Sequence, residues 1–149
     1  MGGRDRSRSR VVAIAGASLL LAHCGGGQED AVQLVFTSTP AAVILERPFS
    51  VEVQARDRAG HGTGTTQQGQ RRVEIQLGLG ASPVAGSPGG PDSAIADGDG
   101  NAPFQGLTVD IPGQYALIAS VPGVAAIPPV TSPPFNAIAA PAPPVDAGP

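Results

Sequence analysis

Few side chains in this sequence have the type and spacing to do chemistry. Cys24 is the single cysteine of 149 residues, so its thiol forms no internal disulfide and staples nothing in an oxidising compartment. Asp97, Asp99 and Asn101 carry the D-x-D-x-N spacing with which a calcium loop surrounds a hard cation with oxygens. The rest of that loop pattern is missing. Ala102 stands where the sharp-turn Gly belongs, and Thr108 where the bidentate Glu belongs. The stretch therefore reads first as an Asp- and Gly-rich hairpin turn, with calcium the weaker candidate. His61 is the only histidine beyond the first 23 residues, and zinc takes several convergent ligands, so no metal is assigned to it. Ser-His-Asp catalysis would need an activated Ser and an orienting acid beside His61. No nucleophile elbow, dinucleotide fingerprint or P-loop occurs. Glu52 and Asp57 read as solvated strand-face and turn acids. The expectation is a protein that is not an enzyme and has no cofactor.

The elements that must position these residues are strands. Val32–Thr37 reads as a first strand with Val32, Leu34 and Phe36 on one face, broken by Pro40 and resumed over Ala42–Leu45. Phe49–Asp57 alternates cleanly, with Phe49, Val51, Val53 and Ala55 inward, and this period of two marks a half-buried strand. Arg71–Leu79 repeats the pattern with Val73, Ile75, Leu77 and Leu79. Between them Asp57–Gln70 is a Gly-rich loop. Gly80–Pro91 is a second loop, with a short edge strand near Val84, and Ser93–Ala96 is a further short strand. Asp97–Gly100 supplies the positive φ of a tight turn. In the strand Ala102–Ile111, Phe104 and Leu107 share a face only if a residue is looped out, and Gly106 is the place for a bulge. Pro112-Gly113 makes the next turn. Tyr115, Leu117, Ala119 and Val121 then share one face of a central strand. Val130–Ile138 is the last strand, anchored by Phe135, and Pro133 and Pro134 place it at an edge. The pattern is all-β: a single antiparallel β-sandwich of about seven strands, with no convincing amphipathic helix.

Composition bounds the function. The chain holds 21 Gly and 16 Pro, yet 41% of it is hydrophobic and only 14% charged, which favours turn-rich β structure over a solvated coil. It has nine Arg and no Lys, and four of the Arg lie within the first ten residues. Beyond residue 23 five Arg face eleven acids, a formal charge of −6. An acidic chain without a basic cluster is a poor nucleic-acid binder and has little electrostatic pull towards anionic membranes.

Residues 1–10 are polar and Arg-rich, and Val11–Ala22 is a twelve-residue apolar run. That run is shorter than the roughly 20 residues a bilayer-spanning helix needs, and suits a signal-peptide core. Leu21-Ala22-His23-Cys24 follows at once, then Gly25-Gly26-Gly27. The segment resembles a bacterial lipoprotein signal with a Leu-Ala-x-Cys lipobox, from which His23 departs, since that position usually holds Gly, Ala or Ser. The resemblance implies cleavage before Cys24 and acylation of its sulfur, and acylation at two or more points gives a stable anchor. Gly25 is not an inner-membrane retention residue in such proteins. The implied localisation is exported and lipid-anchored to the cell envelope, at the outer membrane.

The remainder resembles a bacterial Ig-like domain of the invasin/intimin-like kind. The resemblance is densest at Gly100, Ala102, Phe104, Gly106, Leu107, Gly113, Tyr115, Leu117 and Ala119, then Ser132 and Phe135. Pro48-Phe49 and Asp57-x-x-Gly60 fit the same pattern; His61, Arg47 and Pro103 depart from it. Gly113 and Tyr115 stand where a tyrosine corner is found, a structural role in which the hydroxyl bonds backbone. The resulting organisation is a lipoprotein signal peptide at 1–23, a flexible tether at 24–31, an Ig-like domain at 32–140 and a Pro/Ala-rich tail at 141–149. The expected partners are the membrane, through Cys24, and an envelope or extracellular protein. Alternatives are an accessory subunit docking by edge-strand pairing, or a small carbohydrate-binding module that lacks the usual Trp and Tyr platforms.

Overall fold

In a computed structural model of the chain, residues 29–66, 71–83 and 88–142 are described. Cys24 with the lipobox residues Leu21, Ala22 and His23, the expected edge strand at Val84 and most of the tail lie outside them. No helix occurs among the described residues.

The first sheet joins β1 (Gln33–Ser38), β3 (Phe49–Arg56) and β8 (Asn101–Leu107), in that order and antiparallel throughout. β3 lies in the middle. Its burial alternates as its sequence does, with Val51, Val53 and Ala55 inside. Opposite it in β8 the register slips. Phe49 pairs with Leu107 but Ser50 with Gln105, so Gly106 is left unmatched at φ 78°. The bulge expected at Gly106 is there, and it turns both Phe104 and Leu107 into the core.

A second sheet has the order β11 (Val130–Thr131), β10 (Leu117–Ser120), β6 (Glu74–Leu79), β7 (Ser93–Ile95). A third joins β2 (Ala42–Ile44), β12 (Phe135–Ile138) and β9 (Gly113–Tyr115). Only β2–β12 is a parallel pair among the described strands. A two-strand ribbon pairs β4 (Thr65–Thr66), in the stretch expected to be plain loop, with β5 (Arg71–Arg72), the start of the strand expected over Arg71–Leu79.

Three strands expected to be continuous are each divided. Arg71–Leu79 breaks at Val73, whose amide turns to the Gly64 carbonyl. Gln114–Val121 breaks at Ala116, whose peptide pairs with Ala81 and Gly80. Val130–Ile138 breaks at Ser132-Pro133-Pro134. The proline pair does not put β12 on an edge, because β12 has a neighbour on each side. The prolines occupy the gap in which the chain leaves β10 and joins β9 and β2, where no ladder amide is needed. Ser132 spans that gap: its hydroxyl accepts the Leu117 amide at 2.9 Å and donates to the Pro133 carbonyl.

Side chains from all three sheets meet in one core, among them Leu34, Phe104, Ile75, Leu117, Val43 and Phe135. Phe135 stacks on Tyr115 with ring centroids 5.9 Å apart and meets Phe49 at 5.6 Å. The molecule has two ends. At one, the Ala31 amide bonds the Thr65 carbonyl and Val73 bonds Gly64. At the other, Leu45 bonds Ile138 and Glu46 bonds Val109, with Glu46 held at φ 60° in the corner between them.

Candidate functional site

The candidate residues of the described part fall into two places. Asp57, His61, Asp97, Asp99 and Asn101 gather at the end where Ala31 meets Thr65. Gly113 and Tyr115 stand at the opposite end.

Asp97 closes the turn between β7 and β8. One of its carboxylate oxygens accepts the amides of Asp99 at 3.0 Å and Asn101 at 2.8 Å. Its own amide donates to the Asn101 carbonyl, and Gly100 donates to its carbonyl. Asn101 is the first residue of β8. The D-x-D-x-N spacing thus serves an Asx turn, in which the first carboxylate substitutes for backbone acceptors.

Asp57 sits on the adjoining loop and is buried, 6% exposed, not solvated. Its carboxylate accepts the His61 amide at 2.9 Å, and the other carboxylate oxygen lies 3.5 Å from His61 Nδ1. Burial pushes this carboxyl up. The amides of His61, Ala59 and Gly60 and the nearby imidazole outweigh that push, so it lies below the usual 3.8. The Asp57 amide bonds the His61 carbonyl, which completes a tight loop. The loop is seated on the Asp97 turn by backbone contact. A Cβ on Gly62 or Gly64 would run into the carbonyl oxygens of Asp99 and Asp97. Gln54 ties the two together, donating to the Asp99 carbonyl at 3.2 Å, and is itself held by Arg56 Nε at 2.7 Å.

Chemically, this end contains an oriented His–Asp pair, a combination that can act as a base when a nucleophile adjoins it. The His61 side chain is 81% exposed and its hydrogen-bonding neighbour is Asp57. Among the described residues no three His, Cys, Asp or Glu gather as a metal-ligand group. The geometry builds a braced loop end, with the buried Asp57 carboxylate and the exposed Asp97 carboxylate both accepting backbone amides.

Sequence reasoning missed the Asp57–His61 pairing. The signal present was Asp57-x-x-Gly60: an acid followed by a Gly that takes φ 90° is the pattern of an Asx-capped turn.

At the other end the Tyr115 hydroxyl donates to the Ile111 carbonyl at 2.7 Å across the Pro112-Gly113 turn. Its ring is 1% exposed. Burial, and then the negative charge of Asp110, push its phenol above the usual 10.0. Gly113 leaves no room for a Cβ beside the Pro83 ring. This site fixes a turn and presents no reactive group.

No family model matches the chain, and no curated protein is similar enough to stand as a relative.

Proposed function

We propose that this protein is a non-enzymatic envelope lipoprotein. It would be tethered to the outer membrane through acylated Cys24 and carry one bacterial Ig-like β-sandwich in a structural, adhesive or protein-interaction role. The observation that carries this is the order of the first 27 residues: basic segment, twelve apolar residues, Leu21-Ala22-His23-Cys24, three glycines. Support for the sandwich comes from the sheet orders β1-β3-β8 and β11-β10-β6-β7 sharing one core, with β2 leaving the first layer to pair alongside β12.

Metabolic labelling with an alkyne palmitate analogue, comparing the native chain with Cys24→Ser, tests the anchor. Label on the native chain that is lost in the variant supports it. No label on the native chain overturns it and leaves a secreted domain.

A second reading, docking on another exported protein by edge-strand pairing, is favoured by one observation. Among the described strands β7 pairs only with β6, and it leaves Ile95 59% exposed on that border. Crosslinking in cells distinguishes the two, since a single stoichiometric protein partner supports docking and surface exposure without one supports adhesion.

A further inference from the structure

Val121–Val130 reads VPGVAAIPPV, ten residues without a charged or hydrogen-bonding side chain. Such a run is common in a core. Here it connects β10 to β11 at the surface. Val121 and Ile127 are buried and pin the loop, and the Val124 amide and carbonyl bond Val121 and Ile127. Pro122, Ala125, Ala126, Pro128 and Pro129 are left exposed as an apolar crown. A shallow hollow between Val121, Val124, Ile127 and Pro129 continues it. An apolar surface held rigidly in water marks a contact with something apolar.

The topology says at which end the loop lies. Ser120 pairs with Gln76, and β6 leads back from there to Val73. Val73 bonds Gly64, and the next carbonyl, of Thr65, takes the Ala31 amide. The loop therefore lies at the end from which the chain runs back towards Cys24. Six residues separate Cys24 from Ala31 along the chain, and the seven steps between them reach at most about 25 Å. The opposite end lies a strand length away, about 26 Å for an eight-residue strand such as β3.

We propose that the Val121–Val130 loop is a membrane-contact surface that presses its exposed Pro and Ala residues into the headgroup boundary of the bilayer holding Cys24. The orientation rests on Cys24 being the lipid anchor. The same end carries Arg58, Arg71 and Arg72 but also Asp97 and Asp99, all exposed. With the charges mixed, the contact is apolar and insensitive to salt. The consequence is polarity. The end with Glu46, Asp110 and Ile111 faces away from the membrane and is the one open to other proteins.

The chain has no Trp, so one can be introduced as a reporter. The full chain, as Ala126→Trp or as Ile111→Trp at the other end, is reconstituted in phosphatidylethanolamine–phosphatidylglycerol vesicles with or without brominated acyl chains. The expected result is loss of emission and a shift to shorter wavelength for Ala126→Trp only, unchanged at high salt. Adding Ala125→Asp should reduce the quenching without lowering the melting temperature. Absence of quenching in Ala126→Trp, or equal quenching in Ile111→Trp, overturns the proposal. Palmitate labelling of the same chains reads the anchor separately. Label without quenching leaves the anchor and removes the loop contact. Quenching without label keeps the contact and removes the anchor.

Discussion

Tyr115 is the chain's only tyrosine, and Lys is absent, so among the described residues no other side chain ordinarily titrates between pH 7 and 12. The folded state holds the phenol proton more tightly than the unfolded chain does, because burial and Asp110 both disfavour the phenolate. A raised pKa in the folded state contributes stability that is complete below the unfolded value of about 10. It is lost as pH rises through the folded value. Tyr115→Phe removes both this linkage and the bond to Ile111. At neutral pH it should cost about 1 kcal/mol, or ~4–8 °C in melting temperature. The gap to the native protein should then narrow above pH 10, as followed by denaturant unfolding. An unchanged melting temperature at pH 7 would remove the corner from the list of structural supports. Asp57 works in the other direction. Its lowered pKa contributes stability above the ordinary 3.8 that is lost as pH falls through the folded value. Asp57→Asn keeps an acceptor for the amides but not the proton linkage. It should be less stable at pH 7 and have a shallower acid limb. Parallel acid limbs in the two proteins would rule out this role for the carboxylate.

At the scale of elements, the turn between β7 and β8 gives a paired comparison within three residues. Gly100 has φ 80°, and a Cβ there would meet the Ala55 carbonyl oxygen and the Thr63 amide. Gly98 has open space around it and an ordinary φ. Gly100→Ala should therefore cost more than about 2 kcal/mol, from left-handed strain plus backbone displacement. Gly98→Ala should stay within about 0.5 kcal/mol of the native protein. Similar losses at both, measured by urea unfolding, would mean the turn is not seated on β3 and its loop as described. Elements such as β3 and the Gly106 bulge are legible in the sequence because their cause is local. Alternation records which face is buried, and an odd spacing between two core residues demands a looped-out one. The breaks at Val73, Ala116 and Pro133-Pro134 are not legible. They mark where a strand exchanges one neighbour for another, and that depends on partners 9 to 35 residues away: Gly64 for Val73, Leu117 for Ser132 and Ala81 for Ala116. Asp57 was misread for the same reason: the loop that carries it is seated on the turn at Asp97, 40 positions on. Tyr115 could be placed from Gly113 beside it, since the corner is closed within five residues.

For the whole molecule, the open question is whether three sheets make one cooperative unit. Among the described strands β2, β12 and β9 pair only with one another, so by their ladders they form a sheet of their own. Their side chains say otherwise. Tyr115 and Phe135 are almost fully buried and stack on each other, Phe135 reaches Phe49 of the first sheet, and Tyr115 is joined to β10 through Ala116 alone. Opening the third sheet would uncover these rings and the Phe49 edge together. At about 25 cal/mol per Å² and 150 Å² or more for each aromatic ring, two rings alone amount to roughly 7 kcal/mol. That is comparable to the entire stability of a domain this size, about 5–15 kcal/mol. The third sheet therefore cannot open while the rest stays folded, and heat should unfold the protein in one step. Near-ultraviolet dichroism, which reports the packing of Tyr115 and the phenylalanines, should fall at the same temperature as far-ultraviolet dichroism, which reports all strands. A near-ultraviolet transition well below the far-ultraviolet one would show the third sheet melting alone, and would mean that ladder connectivity, not the shared core, sets the folding unit.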